Sequence, residues 1–117
     1  MDKVNPMIEI NDQVLEEMVQ AIIREVDPEK IVLFGSLVWG GGGPNSDLDL
    51  MIVEREEFGG SRGRLEELVR IREALSAFEI PKDILVYSIK EFEKWRNSIN
   101  HIIATTLREG RVLYERP

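Results

Sequence analysis

The sequence predicts an α/β (α+β) domain in which helices pack on one small mixed β-sheet. Apolar residues recur at helical period in long segments, short β-branched apolar runs lie between them, and the order reads helix, strand, strand, helix, strand, helix, helix. The length of 117 residues favours one compact domain over 1–117, with 1–10 as an irregular, loosely tied start.

Asn11 or Asp12 suits the cap of a first helix over about 12–26. Its stripe is Val14, Leu15, Met18, Val19, Ile22, Ile23 and Val26. Asp27-Pro28 ends it, because the residue before proline avoids helical backbone. Ile31-Val32-Leu33-Phe34 is short, apolar and partly β-branched, as a buried strand should be. From Gly35 to Ser46 the chain has five glycines and a proline in twelve residues, a loop. Residues 47–54 form the second strand, and Arg55 to Gly63 a polar connection with its tip at Gly59-Gly60.

Arg64 to Phe78 reads as a helix with Leu65, Leu68, Ile71, Leu75 and Phe78 on one side. Asp83 to Tyr87, after Pro81, is a third strand. Ser88 caps a short helix to about Trp95, with Glu91 placed to complete a capping box. A last helix over about Ser98 to Arg108 carries Ile99, Ile102, Ile103 and Leu107 and stops at Gly110. Val112-Leu113-Tyr114 adds an edge strand or covers the core.

Composition narrows the function. A net charge of −7 argues against direct nucleic-acid binding, which depends on Lys and Arg contacts to phosphates. The absence of cysteine excludes thiol catalysis, disulfides and cysteine-based zinc sites. No leader pattern opens the chain and no apolar run nears the roughly 18 residues of a membrane helix, so a cytoplasmic, non-membrane protein is expected.

Asp47 and Asp49 are the first candidates for chemistry. On a strand, residues i and i+2 point to one face. Two carboxylates there can converge on magnesium, which takes oxygen ligands and shares its shell with phosphates. Leu48, Leu50, Met51, Ile52 and Val53 make the strand nearly all apolar, so two charges at its head need ligands or partners. Asp83 opens the third strand as the pair opens the second. It is the candidate third carboxylate, either bridging metals or accepting a proton from an attacking hydroxyl; a turn residue after Pro81-Lys82 is the alternative. Gly35-Ser36 follows an apolar strand. The glycine permits a tight turn and close approach, the following amides can face phosphate oxygens, and the Ser36 hydroxyl adds a hydrogen bond. No Gly-Lys-Ser/Thr follows, so this is not a P-loop.

Phe34-Gly35-Ser36, the Gly/Pro-rich span and Ser46-Asp47-Leu48-Asp49-Leu50 together resemble the signature of the DNA polymerase beta-type nucleotidyltransferase superfamily. The small size, the strand with Asp83 and the run Leu107 to Glu115 are similar to its minimal nucleotidyltransferase branch, the MNT proteins paired with HEPN-domain partners. The resemblance implies that Gly35, Ser36 and Ser46 hold a nucleoside triphosphate. It implies that Asp47, Asp49 and Asp83 bind the metal, two Mg2+ ions, and carry catalysis. It also implies an activity: transfer of AMP from ATP onto a tyrosine of a HEPN toxin, making the chain an antitoxin in a homo- or hetero-oligomer. Two other readings stand beside it: an antitoxin that masks its partner by contact alone, and a stand-alone transferase acting on a small alcohol.

The chain departs from the family at Leu37 and Trp39, where relatives carry arginines, and at Gly43, often basic in relatives. Arg62 and Arg64 are candidates to substitute, against a reading as solvated residues at a helix start. Trp39 suits stacking on a base as well as plain packing. His101, the single histidine, reads as a surface or boundary residue. Glu54-Arg55-Glu56-Glu57 reads as a solvated connection, and Tyr87 and Tyr114 as structural.

Overall fold

A computed structural model of the chain describes residues 11–35, Val38, 47–60, 62–99 and 101–117. Among these the elements are, in order, α1 (Asp12–Val26), β1 (Lys30–Phe34), β2 (Leu48–Glu54), α2 (Arg64–Ala74), β3 (Lys82–Ser88), α3 (Ile89–Trp95), α4 (Ile102–Glu109) and β4 (Arg111–Glu115). The strands form one sheet in the order β3-β2-β1-β4. β1 runs antiparallel to β2 and β4, whereas β2 and β3 are parallel, with α2 as their crossover. The small mixed sheet with packed helices is the architecture the sequence predicts. The expectation for residues 1–10 falls outside the described residues.

The strand period of two divides the core into two layers. Ile31, Leu33, Leu50, Ile52, Ile84 and Val86 meet α1 and α2 through Met18, Ile22 and Ile71. Val32, Met51 and Val53 turn the other way and meet Phe92 of α3 and Ile103 of α4. Helices therefore cover both faces. Full burial of such side chains stabilises by roughly 1.5–3 kcal/mol each. Among the described residues no helix is long and apolar enough to cross a membrane.

The ends of the helices follow the capping chemistry in the sequence. Asn11 Oδ1 accepts from the Val14 amide at 2.9 Å and opens α1. Asp27 closes α1 in the left-handed region, φ +49°, a backbone that aspartate tolerates better than most residues. Ser88 and Glu91 form the expected capping box at α3, each side chain accepting from the other's backbone N–H. The last helix starts later than Ser98. His101 is its cap: Nδ1 accepts from the Ile103 amide at 3.1 Å and the ring stacks on Trp95 at 4.8 Å, leaving Ile99 exposed.

α2 is the main correction. Leu65 is 71% exposed, whereas Glu67 and Ile71 face the core, and the helix ends at Ala74, with Leu75 buried in the turn beyond. The cause is electrostatic. Arg64 donates to the Val86 carbonyl at 2.7 Å and pairs with Glu91, which fixes the rotation of the helix start. Glu67 is thereby brought against Glu54. That residue is not part of a solvated connection: it ends β2 only 3% exposed and accepts from Arg62 at 2.8 Å.

Candidate active site

Sheet register assembles the site. Asp49 pairs with Phe34 of β1 on one side and with Asp83 of β3 on the other. Residues in register project to the same face, and neighbouring strands lie roughly 4.8 Å apart. Phe34, Asp49 and Asp83 thus form a row across three strands, on the face that carries Met51 and Val53. It lies where β1 ends and β2 and β3 begin. Asp47 sits immediately before β2, on the Asp49 side by alternation. Asp47 and Asp83 are exposed, and Asp49 is half-buried. The second carboxylate of the pair and the candidate third are therefore register neighbours.

Gly35 touches this row directly. It follows Phe34 with φ +83°, a conformation that favours glycine. A Cβ built there would stand 2.1 Å from Asp49 Oδ2, so the carboxylate occupies the space any side chain would need. Its carbonyl accepts from the Val38 amide at 3.1 Å, closing a tight turn. The expectation was a glycine for close approach to phosphate; the structure adds a second requirement, made by Asp49. Ser36 and Ser46, together with Leu37, Trp39 and the run Gly40 to Gly43, lie outside the described residues.

The electrostatics are those of carboxylates gathered without a counter-charge. The Asp49 carboxyl is held above the usual carboxylate range, first by burial, then by the charges of Asp83 and Asp47 and a hydrogen bond with Asp83. Lys82, beside Asp83, does not offset this: its ammonium donates to the Phe78 and Ile80 carbonyls, both at 2.9 Å. Arg62 and Arg64 do not substitute for phosphate-neutralising arginines. They are anchored to Glu54, and to Glu91 and Val86, at the other end of β2, and Glu54 is roughly 17 Å along the strand from Asp49.

The donor chemistry suits a hard divalent cation, since oxygen anions that repel one another are relieved by it. Among the described residues, however, no group of three His, Cys, Asp or Glu side chains stands close enough to hold a metal ion. The three aspartates would have to draw together around one. His101 takes no part; it caps α4 and sits edge-on to Tyr87 at 6.0 Å. The sequence reading missed Phe34 as a member of the row, which the alternation of β1 against Asp49 could have signalled. It also missed the Glu54–Glu67 contact, for which a lone Glu closing an apolar strand was the available sign.

Comparison with known proteins bears on this arrangement. A family model described as a nucleotidyltransferase domain matches residues 15–113. No curated protein matches the chain in sequence. Among solved structures, a toxin–antitoxin crystallised with AMP-PNP is similar over 92% of this chain and 75% of its own, with 18% identity and a TM-score of 0.56. A protein from Sulfolobus solfataricus assigned as a nucleotidyltransferase is similar over 89% and 79%, with 17% identity and a TM-score of 0.54. The toxin–antitoxin MntA-HpeT, in a variant with two aspartates one residue apart changed to glutamate, is similar over 92% and 75%, with 14% identity and a TM-score of 0.55.

Proposed function

The chain belongs to the nucleotidyltransferase domain family, and from that premise we propose that it moves AMP from ATP onto a hydroxyl of a protein partner, a tyrosine of a HEPN-domain toxin, and so acts as an antitoxin in the cytoplasm. The observation that carries this reading is the register of Asp49 with Asp83 beside the strained glycine turn at Gly35.

In this reading the acceptor oxygen attacks the α-phosphorus of ATP. The bond from that phosphorus to the bridging oxygen breaks, pyrophosphate leaves, and the acceptor's proton passes to Asp83. Gly35, Ser36 and Ser46 hold the triphosphate, with Gly35 providing the close backbone approach. Asp47, Asp49 and Asp83 would hold Mg2+, which when bound lowers the acceptor's pKa and offsets charge on the departing pyrophosphate. Alignment and electrostatics supply most of the catalysis in such transfers, so a small domain suffices when the partner brings the acceptor. Two similar structures are toxin–antitoxin pairs, one crystallised with an ATP analogue, and the altered aspartates of the other have the same spacing as Asp47 and Asp49.

A masking antitoxin without turnover is the second reading. It is favoured by the absence, among the described residues, of a cation turned toward the aspartate row. The two readings part on one experiment. Asp47→Ala/Asp49→Ala, co-expressed with the toxin, keeps partner binding in both cases. Loss of neutralisation supports transfer; full neutralisation by the double variant supports masking and refutes the catalytic reading.

A further inference from the structure

A second polar cleft lies at the opposite pole of the molecule from the aspartate row. It has a volume of about 410 Å3 and is lined by Val26, Asp27, Glu54, Arg55, Glu56 and Arg62. An adjoining cavity of about 310 Å3 shares five of these residues and adds Glu25, Glu67 and Arg70. Volumes of this order are those of small-molecule sites.

Three features set the chemistry it would take. Glu54 is 3% exposed; its Oε1 accepts from Arg62, but its Oε2 is buried with no hydrogen-bond partner. Glu67, the carboxyl pressed against it, offers acceptors rather than donors, so Oε2 needs either a shared proton or a donor from elsewhere. Carboxyl groups outnumber guanidinium groups around the joined cavities by five to three. Val26 and Asp27 stand at the carboxyl end of the 15-residue α1, where the helix dipole favours positive charge. A metal ion is the wrong cation, since among the described residues no three carboxylates are close enough to hold one.

We infer that this cleft binds a small organic cation, an ammonium or guanidinium group that donates to Glu54 Oε2. The same chemistry comes from a free polyamine-type amine or from a basic side chain of another protein. The site is independent of the nucleotidyl-transfer reading and stands roughly 17 Å along β2 from Asp49.

The test is NMR titration of the intact chain with agmatine and, separately, with a capped Gly-Arg-Gly tripeptide. Saturable shifts of the Val26, Glu54 and Glu56 amides and the Arg62 Nε–H are expected. Glu54→Gln weakens binding by about tenfold or more, the usual scale for losing a buried charged partner. That variant keeps the side-chain volume, and its amide can donate to Glu67 while its oxygen accepts from Arg62, so the fold holds. Glu56→Gln, at a side chain 83% exposed, is the backup and shifts affinity in the same direction. Asp47→Asn/Asp49→Asn leaves binding unchanged. Tighter binding of agmatine assigns a free amine; tighter binding of the tripeptide assigns a protein side chain. The inference is overturned if neither probe saturates, or if shifts map to Asp47 and Asp49 and ignore Glu54→Gln.

Discussion

Gly35→Ala separates the geometry of the aspartate row from the stability of the fold. At φ +83° an alanine carries a left-handed backbone penalty of about 1–2 kcal/mol. Its Cβ would also lie 2.1 Å from Asp49 Oδ2, and contacts under 3.0 Å are essentially never seen, so the carboxylate must retreat by about 1 Å. The obstructed atom is the end of a side chain, so the fold absorbs the clash by rotating Asp49. The melting temperature should therefore fall only by roughly 4–10 °C, the strain alone. A displacement of about 1 Å at a reacting group lowers rate on the order of 100-fold. Gly60→Ala is the control: φ is +59° and no described atom lies within 4 Å of the added Cβ. It should lose similar stability and keep full activity. Pyrophosphate release from ATP with the acceptor, beside thermal melts, reads both. If Gly35→Ala is as active as Gly60→Ala, the reasoning that Gly35 makes room for Asp49 is wrong.

Other outcomes follow from the same geometry. Asp49→Asn should abolish transfer, by about 1,000-fold or more, as expected when a group central to charge stabilisation is lost. It should nonetheless raise the melting temperature in metal-free buffer, because it removes a carboxylate disfavoured by burial and by Asp83 and Asp47; a fall in melting temperature contradicts the account. Glu54, pushed up to about 8 by burial and by Glu67, titrates above its unfolded value of 4.5. Its folded pKa is the higher one, so its stabilisation is full below about 4.5 and is lost as pH rises toward about 8. Urea unfolding from pH 5 to 8.5 should show a loss on the order of a few kcal/mol that Glu54→Gln flattens. Asp27 and Glu91, held low by Arg116 and Arg64, act with the opposite sign, gaining stability with rising pH in the more acidic range, so they do not mask it. Gly110→Ala would put a Cβ 2.4 Å from the Thr106 carbonyl oxygen and 2.9 Å from that of Leu33. These neighbours are backbone, so roughly 1–3 kcal/mol should be lost in denaturant melts.

What was legible in the sequence was periodic or local. Leu15, Met18, Val19 and Ile22 announce α1 because a helix repeats its buried face. Ser88 and Glu91 announce the cap of α3 because both partners lie within one turn. Asp47, Asp49 and Asp83 were found because each stands at the head of an apolar run where a charge needs a reason. What failed depended on contacts between distant elements. Leu65 fits the helical stripe of α2, but Arg64 bonding to Val86 and Glu91 turns that stripe outward and brings Glu67 in. Glu54 resembles the charged connection after it until its burial against Glu67 is known. The Phe34–Asp49–Asp83 row needed the strand register, which no single segment encodes.

The most direct measurement is mass spectrometry of a co-expressed HEPN partner after incubation with this protein, ATP and magnesium. The account predicts a mass gain of one or more AMP units on the partner, absent with Asp47→Ala/Asp49→Ala. A partner that stays bound and neutralised at its unmodified mass would contradict it.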